Sequence, residues 1–84
     1  MKYRVVLVQS AQKEFDKAPR NIQEKVLLVF GALETNPYSG KPLRGEYAGV
    51  WTMRAWPFRV IYEIIEAALV VTVIRVRHRK DAYR

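Results

Sequence analysis

Cysteine is absent from this chain of 84 residues, and histidine occurs once. The sequence therefore offers no disulfide framework and no thiolate metal site. It also contains no HxH or HExxH spacing, no cluster of Asp and Glu, no glycine-rich phosphate loop and no serine-nucleophile motif. These absences predict a protein without a metal or any other cofactor. Metal-free acid–base chemistry on a phosphate, carried by arginine, histidine and tyrosine, is the class of catalysis that remains.

Long apolar runs are missing as well. No stretch approaches the roughly 20 apolar residues of a membrane span. The apolar run within the N-terminal "MKYRVVLVQS" is too short and too β-branched for a signal peptide. We therefore expect no membrane-spanning segment, and the lack of cysteine fits a reducing cytoplasm as the location.

Acidic residues are few beside the basic ones. Eight Asp and Glu stand against fifteen Lys and Arg, which gives a formal net charge of +7 and a pI of about 10.1. Residues 37–84 hold nine of the basic residues and four of the acidic ones, so the excess lies mostly in the second half. This balance favours a polyanionic partner, namely RNA, DNA, an acidic protein or an anionic membrane surface.

The pattern of elements predicts a single α+β domain over residues 1–84. In chain order we expect a strand over Tyr3–Val8, a helix capped by Ser10 and ending near Lys17, a longer helix ending at Asn36-Pro37, and strands over Val50–Ala55, Phe58–Ile65 and Leu69–Val76. The segment between the second helix and the second strand contains glycines, Pro42, Lys41 and Arg44, and it is predicted to be a loop. The order β-α-α-β-β-β predicts two N-terminal helices packed on one face of an antiparallel sheet.

The longer helix has the clearest apolar periodicity in the chain. Its apolar residues recur at helical spacing and share one face: Ile22, Val26, Val29, Phe30 and Leu33. This face is predicted to pack on the sheet.

The segment "WTMRAWPFRVIYEI" predicts a hairpin that turns at Trp56-Pro57. The symmetric register then places Arg54 opposite Arg59, on the face that also carries Thr52 and Ile61 and lies away from the core. Directly opposed like charges are unfavourable in a sheet. An anion between the two arginines would relieve this repulsion, and the alternative is a nearby acid such as Glu63.

The chain ends on "IRVRHRKDAYR". The last strand would carry Arg75, Arg77 and Arg79 to one end of the sheet, and the sequence leaves open which of them joins the arginine pair. Tyr83 follows, and neighbouring arginines would lower the pKa of its hydroxyl and suit it to act as a base. Its alternative role is an aromatic lid. His78 is either a general acid or a surface residue.

These segments together resemble a known family. "SAQKEFDKAPRNIQEKV", "NPYSGKPLRGEYAGVW", "RAWPFRVIYEI" and "VIRVRHRKDAYR", in this order and spacing, resemble the RelE/ParE superfamily of bacterial and archaeal toxins, and RelE-type mRNA interferases in particular. The resemblance covers nearly the whole chain. It implies two helices against an antiparallel sheet, and metal-free cleavage of mRNA in the ribosomal A site. In that reaction the 2′-hydroxyl attacks the adjacent phosphate and leaves a 2′,3′-cyclic phosphate.

The resemblance also assigns roles to individual residues. Arg44 of "PLRG" would orient the RNA, while Arg54 precedes the hairpin turn. Arg59 of "FRVIY" would bind the scissile phosphate, and Arg79 would stabilise the transition state or protonate the leaving group. Tyr83 would act as the base or as a stacking platform. With the neighbouring cations, the predicted site comprises Arg59, Arg79, Tyr83 and His78 as catalytic residues and Lys41, Arg44, Arg54 and Arg77 as RNA-binding residues.

The chain departs from the RelE pattern at several positions. Thr52 stands where that pattern has a lysine, His78 replaces another lysine, and the segment between Arg79 and Tyr83 is shorter. "AWPF" replaces a glycine-containing turn. These departures leave the choice of base between Tyr83 and His78.

Two other functions remain open at this point. One is a ParE-type toxin, which inhibits DNA gyrase by binding it, and the other is a toxin homologue that has lost catalysis. The combination of Arg54, Arg59, Arg79 and Tyr83 favours the endonuclease. The resemblance implies a RelB-like antitoxin and mRNA on the ribosome as partners, and neither a membrane nor a metal.

Overall fold

The computed structural model describes residues 2–81, which form two helices and a five-stranded sheet. Helix α1 spans Gln9–Lys17 and helix α2 spans Arg20–Thr35. The strands are β1 over Arg4–Leu7, β2 over Lys41–Pro42, β3 over Trp51–Ala55, β4 over Phe58–Ile65 and β5 over Val70–His78. Short 3₁₀ turns occupy Pro37–Ser39, Gly45–Tyr47 and Glu66–Ala68. None of the helices within residues 2–81 has the length and apolar character needed to cross a membrane.

The strand order is β1-β5-β4-β3-β2. The predicted α+β class, with two helices packed on the sheet, is confirmed. The sheet is mixed and not purely antiparallel, because β1 pairs with β5 in parallel while the other pairs are antiparallel. A parallel pair needs a long crossover connection. Here the connection is the whole chain segment between β1 and β5, which includes both helices and the other three strands. The predicted loop also contains the two-residue strand β2, which pairs with β3.

The core lies between α2 and the sheet. The predicted stripe of α2 is confirmed, since Ile22, Val26, Val29 and Leu33 are buried. Phe30 lies at the margin of the core, where its ring centroid is 6.0 Å from that of Phe15. The sheet contributes buried residues from its three central strands: Ala55, Val60, Tyr62, Val71, Val73 and Val76.

Helix α1 begins differently from the prediction. It starts at Gln9 with Val8 as its N-cap, and no side chain caps it, so the assignment of Ser10 as the cap was wrong. The backbone enters the helix directly from the sheet. The amide of Val8 still donates to the carbonyl of Val73 at 3.0 Å, while the carbonyl of Val8 already accepts from Gln12 at 3.0 Å.

A bulge in β5 controls which of its side chains face the helices. Tyr62 of β4 pairs with Val73, whereas Ile61 pairs with Arg75, so Ile74 is an additional residue. An extra residue reverses the alternation of side chains along a strand. As a result Val73 and Val76 both face the core, and Arg75 and Arg77 lie on the opposite face of the sheet.

Tyr62 ties the sheet to the turn after α2. The residue is fully buried, and its hydroxyl donates to the carbonyl of Pro37 at 2.7 Å. Burial raises the pKa of Tyr62 to about 12, so the hydroxyl stays protonated and keeps its role as donor. The neighbouring Gly40 has no space for a side chain, because a Cβ there would lie 2.2 Å from the Tyr62 hydroxyl oxygen.

A carboxylate joins three segments at the end of the sheet remote from the Trp56-Pro57 turn. The hydroxyls of Tyr38 and Tyr3 both donate to Glu66. These two hydrogen bonds, that of Tyr38 first, hold the pKa of Glu66 below its ordinary value of 4.5. The chain segments before β1, after α2 and before β5 are thereby connected through one side chain.

We expect this carboxylate to contribute to stability at neutral pH and to lose that contribution in acid. Because the pKa of Glu66 is lowered in the folded state, the contribution is complete above pH 4.5 and disappears as the pH falls through the folded-state value. Thermal unfolding of wild type and Glu66→Gln should therefore differ more at neutral pH than at about pH 3. An equal difference at both pH values would contradict this assignment.

Candidate functional site

Three arginines on neighbouring strands form a row across the sheet. Arg54 of β3 pairs with Arg59 of β4, as the hairpin register predicted, and Arg59 pairs with Arg77 of β5. We call Arg54, Arg59 and Arg77 the arginine row. It lies on the sheet face opposite α2. The sequence left open which C-terminal arginine joins the pair, and the bulge at Ile74 decides in favour of Arg77.

Arg54 and Arg59 have no acidic partner within residues 2–81. Glu63, the acid considered as a neutralising partner, pairs with Thr72 on β5. It lies four residues from Arg59 along β4, a separation of roughly 13 Å in an extended strand. Two opposed guanidinium groups without a counter-charge favour the binding of an anion between or beside them.

Arg77 has a different environment, since it forms an ion pair with Glu14 of α1. The other carboxylate oxygen of Glu14 accepts from the amide of Val76 at 2.9 Å. Strand β1 pairs only with residues Val70 to Val73 of β5, and Glu14 thus satisfies the edge of β5 beyond the end of β1. No local signal in the sequence distinguished Glu14 from the other charged residues of α1.

A polar cleft lies beside Arg54 and Arg59 on the same face. Its volume is about 300 Å³, and its lining residues are Ser39, Gly40, Lys41, Thr52, Met53, Arg54 and Arg59. Lys41 belongs to β2 and pairs with Thr52. The short strand β2 therefore brings a third cation to the cleft. Arg44 is exposed on the loop that follows β2 and does not line the cleft.

Thr52 is buried in the wall of this polar cleft. The residue is 4% exposed, and its hydroxyl oxygen has no hydrogen-bond partner within the described part of the chain. A buried hydroxyl without a partner costs about 1–3 kcal/mol of stability. The unpaired hydroxyl of Thr52 therefore lies in the wall of the cleft where we expect an anion to bind.

Thr52→Val should raise the stability of the protein. The substitution keeps the β-branched shape and removes the unpaired hydroxyl, and we expect the free energy of unfolding in urea to increase by about 1 kcal/mol. Thr52→Ala is the control, since it also removes the hydroxyl but loses a buried methyl group. A Val variant less stable than wild type would show that the hydroxyl has a partner.

Arg79 reaches the site through the hairpin turn. Its amide donates to the carbonyl of Pro57 at 2.9 Å, which holds the segment after β5 against the turn. Its guanidinium carbon lies 5.0 Å from the centre of the Trp56 ring, and that of Arg54 lies 5.9 Å from the same ring. The Trp56 ring therefore lies close both to Arg54 of the arginine row and to Arg79. From the sequence, Trp56 was predicted only as part of a turn.

His78 lies on the opposite face of the sheet from Arg54 and Arg59, and it shares a groove beside α1 with Arg77. It pairs with Phe58, and the two rings meet edge to face with centroids 5.7 Å apart. Its Nδ1 atom accepts from the amide of Lys80 at 3.2 Å. Both residues line a groove beside α1, on the helix side of the sheet. The predicted site residue Tyr83 lies outside the described residues.

Residues 2–81 contain no group of three or more His, Cys, Asp or Glu side chains that could hold a metal ion. Lys41, Arg54 and Arg59 together make the cleft positively charged and able to attract an anion, and the guanidinium group of Arg79 lies near the Trp56 ring.

Comparisons with known proteins identify related toxins. Residues 5–83 match the family model described as "ParE toxin of type II toxin-antitoxin system, parDE". Toxin RelG of Mycobacterium tuberculosis is 37% identical over 86 aligned positions, which cover 100% of this chain and 99% of that protein. Toxin RelE of the same organism is 33% identical, covering 98% of this chain and 87% of that protein.

Solved structures of toxin–antitoxin complexes contain chains similar to this one. The toxin–antitoxin complex RelBE2 from Mycobacterium tuberculosis contains a chain with a TM-score of 0.86 and 34% identity, covering 94% of this chain and 100% of that one. The archaeal RelE–RelB complex from Pyrococcus horikoshii shares the fold, with a TM-score of 0.80 at 23% identity, and covers 98% of this chain and 100% of that one. The match over nearly the whole length, by family model, by sequence and by structure, shows that this chain belongs to the RelE/ParE superfamily of type II toxin–antitoxin toxins.

Proposed function

We propose that this toxin is a metal-independent, ribosome-dependent mRNA endonuclease that stops translation in the cytoplasm. The observation that carries the proposal is the opposed pair Arg54 and Arg59, which has no acidic partner within residues 2–81 and shares a cleft with Lys41. A phosphodiester is an anion that such a cleft can accept. Arginine suits this task because its planar guanidinium binds two phosphate oxygens at once.

The proposed reaction is an internal transfer of the phosphate. The 2′-oxygen loses its proton to a base and bonds to phosphorus, while the bond from phosphorus to the 5′-oxygen breaks and that oxygen receives a proton. The products are a 2′,3′-cyclic phosphate and a 5′-hydroxyl. Negative charge grows on the phosphate oxygens during the transfer, and preorganised donors from Arg59 and Arg79 would stabilise it.

The roles of the proton carriers are proposed from the family resemblance and from the position of His78. Because His78 lies on the helix side of the sheet, its position favours Tyr83 as the proposed base, with base stacking as the alternative role of Tyr83. Arg79 would protonate the leaving oxygen or stabilise the transition state. Arg44 would orient the RNA from its exposed loop, and Arg77 would add positive charge while bound to Glu14.

The test of this proposal is the mapping of mRNA ends after incubation of the toxin with programmed ribosomes. We expect cleavage within the A-site codon, with a 2′,3′-cyclic phosphate on the upstream fragment. Mg²⁺ must stay in the reaction to keep the ribosome assembled. The toxin is therefore stripped with chelator and shown to be metal-free by elemental analysis before use. Activity that disappears on stripping and returns with stoichiometric zinc or manganese would contradict the metal-free mechanism.

Inhibition of DNA gyrase is the second candidate function. It is favoured by the matching family model, which is described as a ParE toxin. The two classes of toxin share one fold, so the fold alone does not separate them. A supercoiling assay with purified gyrase does, because an endonuclease leaves supercoiling unchanged. Inhibition of gyrase by a protein that fails to cleave mRNA on ribosomes would establish the ParE-type function.

The proposed protein partner is a RelB-like antitoxin. The related toxins from Mycobacterium tuberculosis and Pyrococcus horikoshii were solved in complexes named RelBE2 and RelE–RelB. This chain has a formal net charge of +7, which favours rapid association with an acidic segment. Co-expression with the cognate antitoxin should restore growth to cells that produce this toxin.

A further inference from the structure

Trp56 is exposed beside the arginine row. It occupies the two-residue turn between β3 and β4, and 49% of its surface is accessible. A tryptophan is costly to expose, because its large apolar surface gains stability from burial. Its exposure next to Arg54, which lines the polar cleft, requires an explanation beyond turn geometry.

The turn that carries Trp56 is anchored on two sides. The ammonium group of Lys25 in α2 donates to the carbonyl of Trp56 at 2.9 Å. On the other side, the amide of Arg79 donates to the carbonyl of Pro57 at 2.9 Å. A rigid aromatic residue loses little conformational entropy when a ligand binds. The backbone that carries the indole is thus held in place on both sides of the turn.

Two cations lie near this indole. The guanidinium carbon of Arg79 is 5.0 Å from the ring centre and that of Arg54 is 5.9 Å away, both within the range of cation–π attraction. These contacts account for the positions of the arginines, yet they leave half of the tryptophan surface exposed. Aromatic side chains beside a basic groove are the usual means of binding single-stranded nucleic acid, because bases stack on the rings while cations follow the phosphates.

We propose that Trp56 is a stacking platform for a base of single-stranded RNA, next to the phosphate held by Arg54 and Arg59. This inference rests on the proposed function, since it takes RNA as the ligand. The charge of the surroundings selects this occupant, because Arg54 and Arg79 both lie within about 6 Å of the ring centre and a nucleotide presents both an aromatic base and an anionic phosphate. Stacking tolerates all four bases, so Trp56 contributes binding and positioning but little discrimination among sequences.

The experiment measures single-turnover cleavage of mRNA on programmed ribosomes over a range of toxin concentrations. Loss of a stacked base by alanine substitution corresponds to roughly 5- to 150-fold weaker binding. We expect Trp56→Ala to raise the half-saturating toxin concentration, or to lower the cleavage rate at subsaturating toxin, by about 10- to 100-fold. Trp56→Phe keeps an aromatic ring and should retain most of the activity. Leu27→Ala, at another exposed apolar residue, is the control and should behave as wild type.

A modified message separates stacking from a structural role. An abasic nucleotide is placed in turn at each position of the A-site codon and its neighbours. If Trp56 stacks on a base, one abasic position weakens wild-type cleavage by a similar factor, and Trp56→Ala has little further effect on that message. A fully additive loss at every position would overturn the proposal, because the tryptophan would then act only through the fold. Thermal unfolding of each variant shows whether the fold is retained.

The remaining outcomes separate this inference from the proposed function. If wild type cleaves the message and Trp56→Ala cleaves it equally well, the stacking platform is refuted while the endonuclease stands. If that variant also escapes neutralisation by the antitoxin, Trp56 belongs to a protein interface. If wild type fails to cleave on ribosomes, the proposed function is refuted, and the platform loses its ligand with it.

Discussion

Arg59→Ala should lower the cleavage of ribosome-bound mRNA by roughly 10²–10³-fold, the usual cost of losing one preorganised donor to a transition state. Arg59 is half-buried in the centre of the arginine row and lines the polar cleft. Its side chain has no acidic partner within residues 2–81, so its positive charge is available to a phosphate. Arg79→Ala should show a loss of similar size if this residue also stabilises the transition state.

The measurement is the single-turnover rate at saturating toxin, supported by a growth-inhibition plate assay. Arg20→Ala serves as a matched control, since Arg20 is an exposed arginine at the start of α2, outside the site. Arg59→Lys keeps the charge but loses the planar fork, and we expect an intermediate rate. Circular dichroism confirms that each variant folds. If Arg59→Ala and Arg79→Ala both cleave at the wild-type rate, the phosphate-binding assignment is wrong.

Gly40→Ala should destabilise the protein by about 1–3 kcal/mol, the typical cost of overpacking. A Cβ at this position would lie 2.2 Å from the hydroxyl oxygen of Tyr62 and 2.7 Å from the carbonyl oxygen of Thr52. The backbone of Thr52 cannot withdraw without disturbing β3, and the Tyr62 hydroxyl is bonded to Pro37. The turn before β2 must therefore move. Because Lys41 is the next residue, the polar cleft should change with it.

A double-mutant cycle identifies the clash as the cause. Tyr62→Phe alone loses the hydrogen bond to Pro37 and should cost about 0.5–1.5 kcal/mol. Combined with Gly40→Ala, it removes the nearest atom to the new Cβ, so the double variant should be more stable than the sum of the two losses predicts. Rescue should be partial, because the contact with the Thr52 carbonyl remains. Urea unfolding measures all four proteins, and strict additivity would rule out the clash.

Local patterns were sufficient to predict several parts of the molecule. The apolar spacing of α2 identified its buried face, because a helix repeats every 3.6 residues whatever it packs against. The hairpin register that opposes Arg54 and Arg59 was also predictable, since a short turn at Trp56-Pro57 leaves one symmetric pairing. The α+β order of elements followed from the same periodicities.

The pairing of distant segments could not be read from such patterns. Strand β1 has the same local sequence character whether it pairs in parallel or antiparallel, and the sequence pattern predicted an antiparallel sheet. The bulge at Ile74 is a single extra residue. The free-energy cost of forming it depends on how Val73 and Val76 pack against the helices. Periodicity within β5 alone predicts regular alternation and does not give the pairing register between β4 and β5. The sequence therefore left undecided whether Arg77 is the residue that pairs with Arg59.

The sequence by itself determined the helices, most of the strands, the excess of positive charge and the opposed pair Arg54 and Arg59, because each depends on neighbours along the chain. Only the tertiary structure decided that Glu14 binds the edge of β5, that His78 lies on the helix side of the sheet, and that Trp56 lies near both Arg54 and Arg79. These contacts join segments that are far apart in sequence. Their geometry follows from packing and register, which the free energy of the whole fold selects.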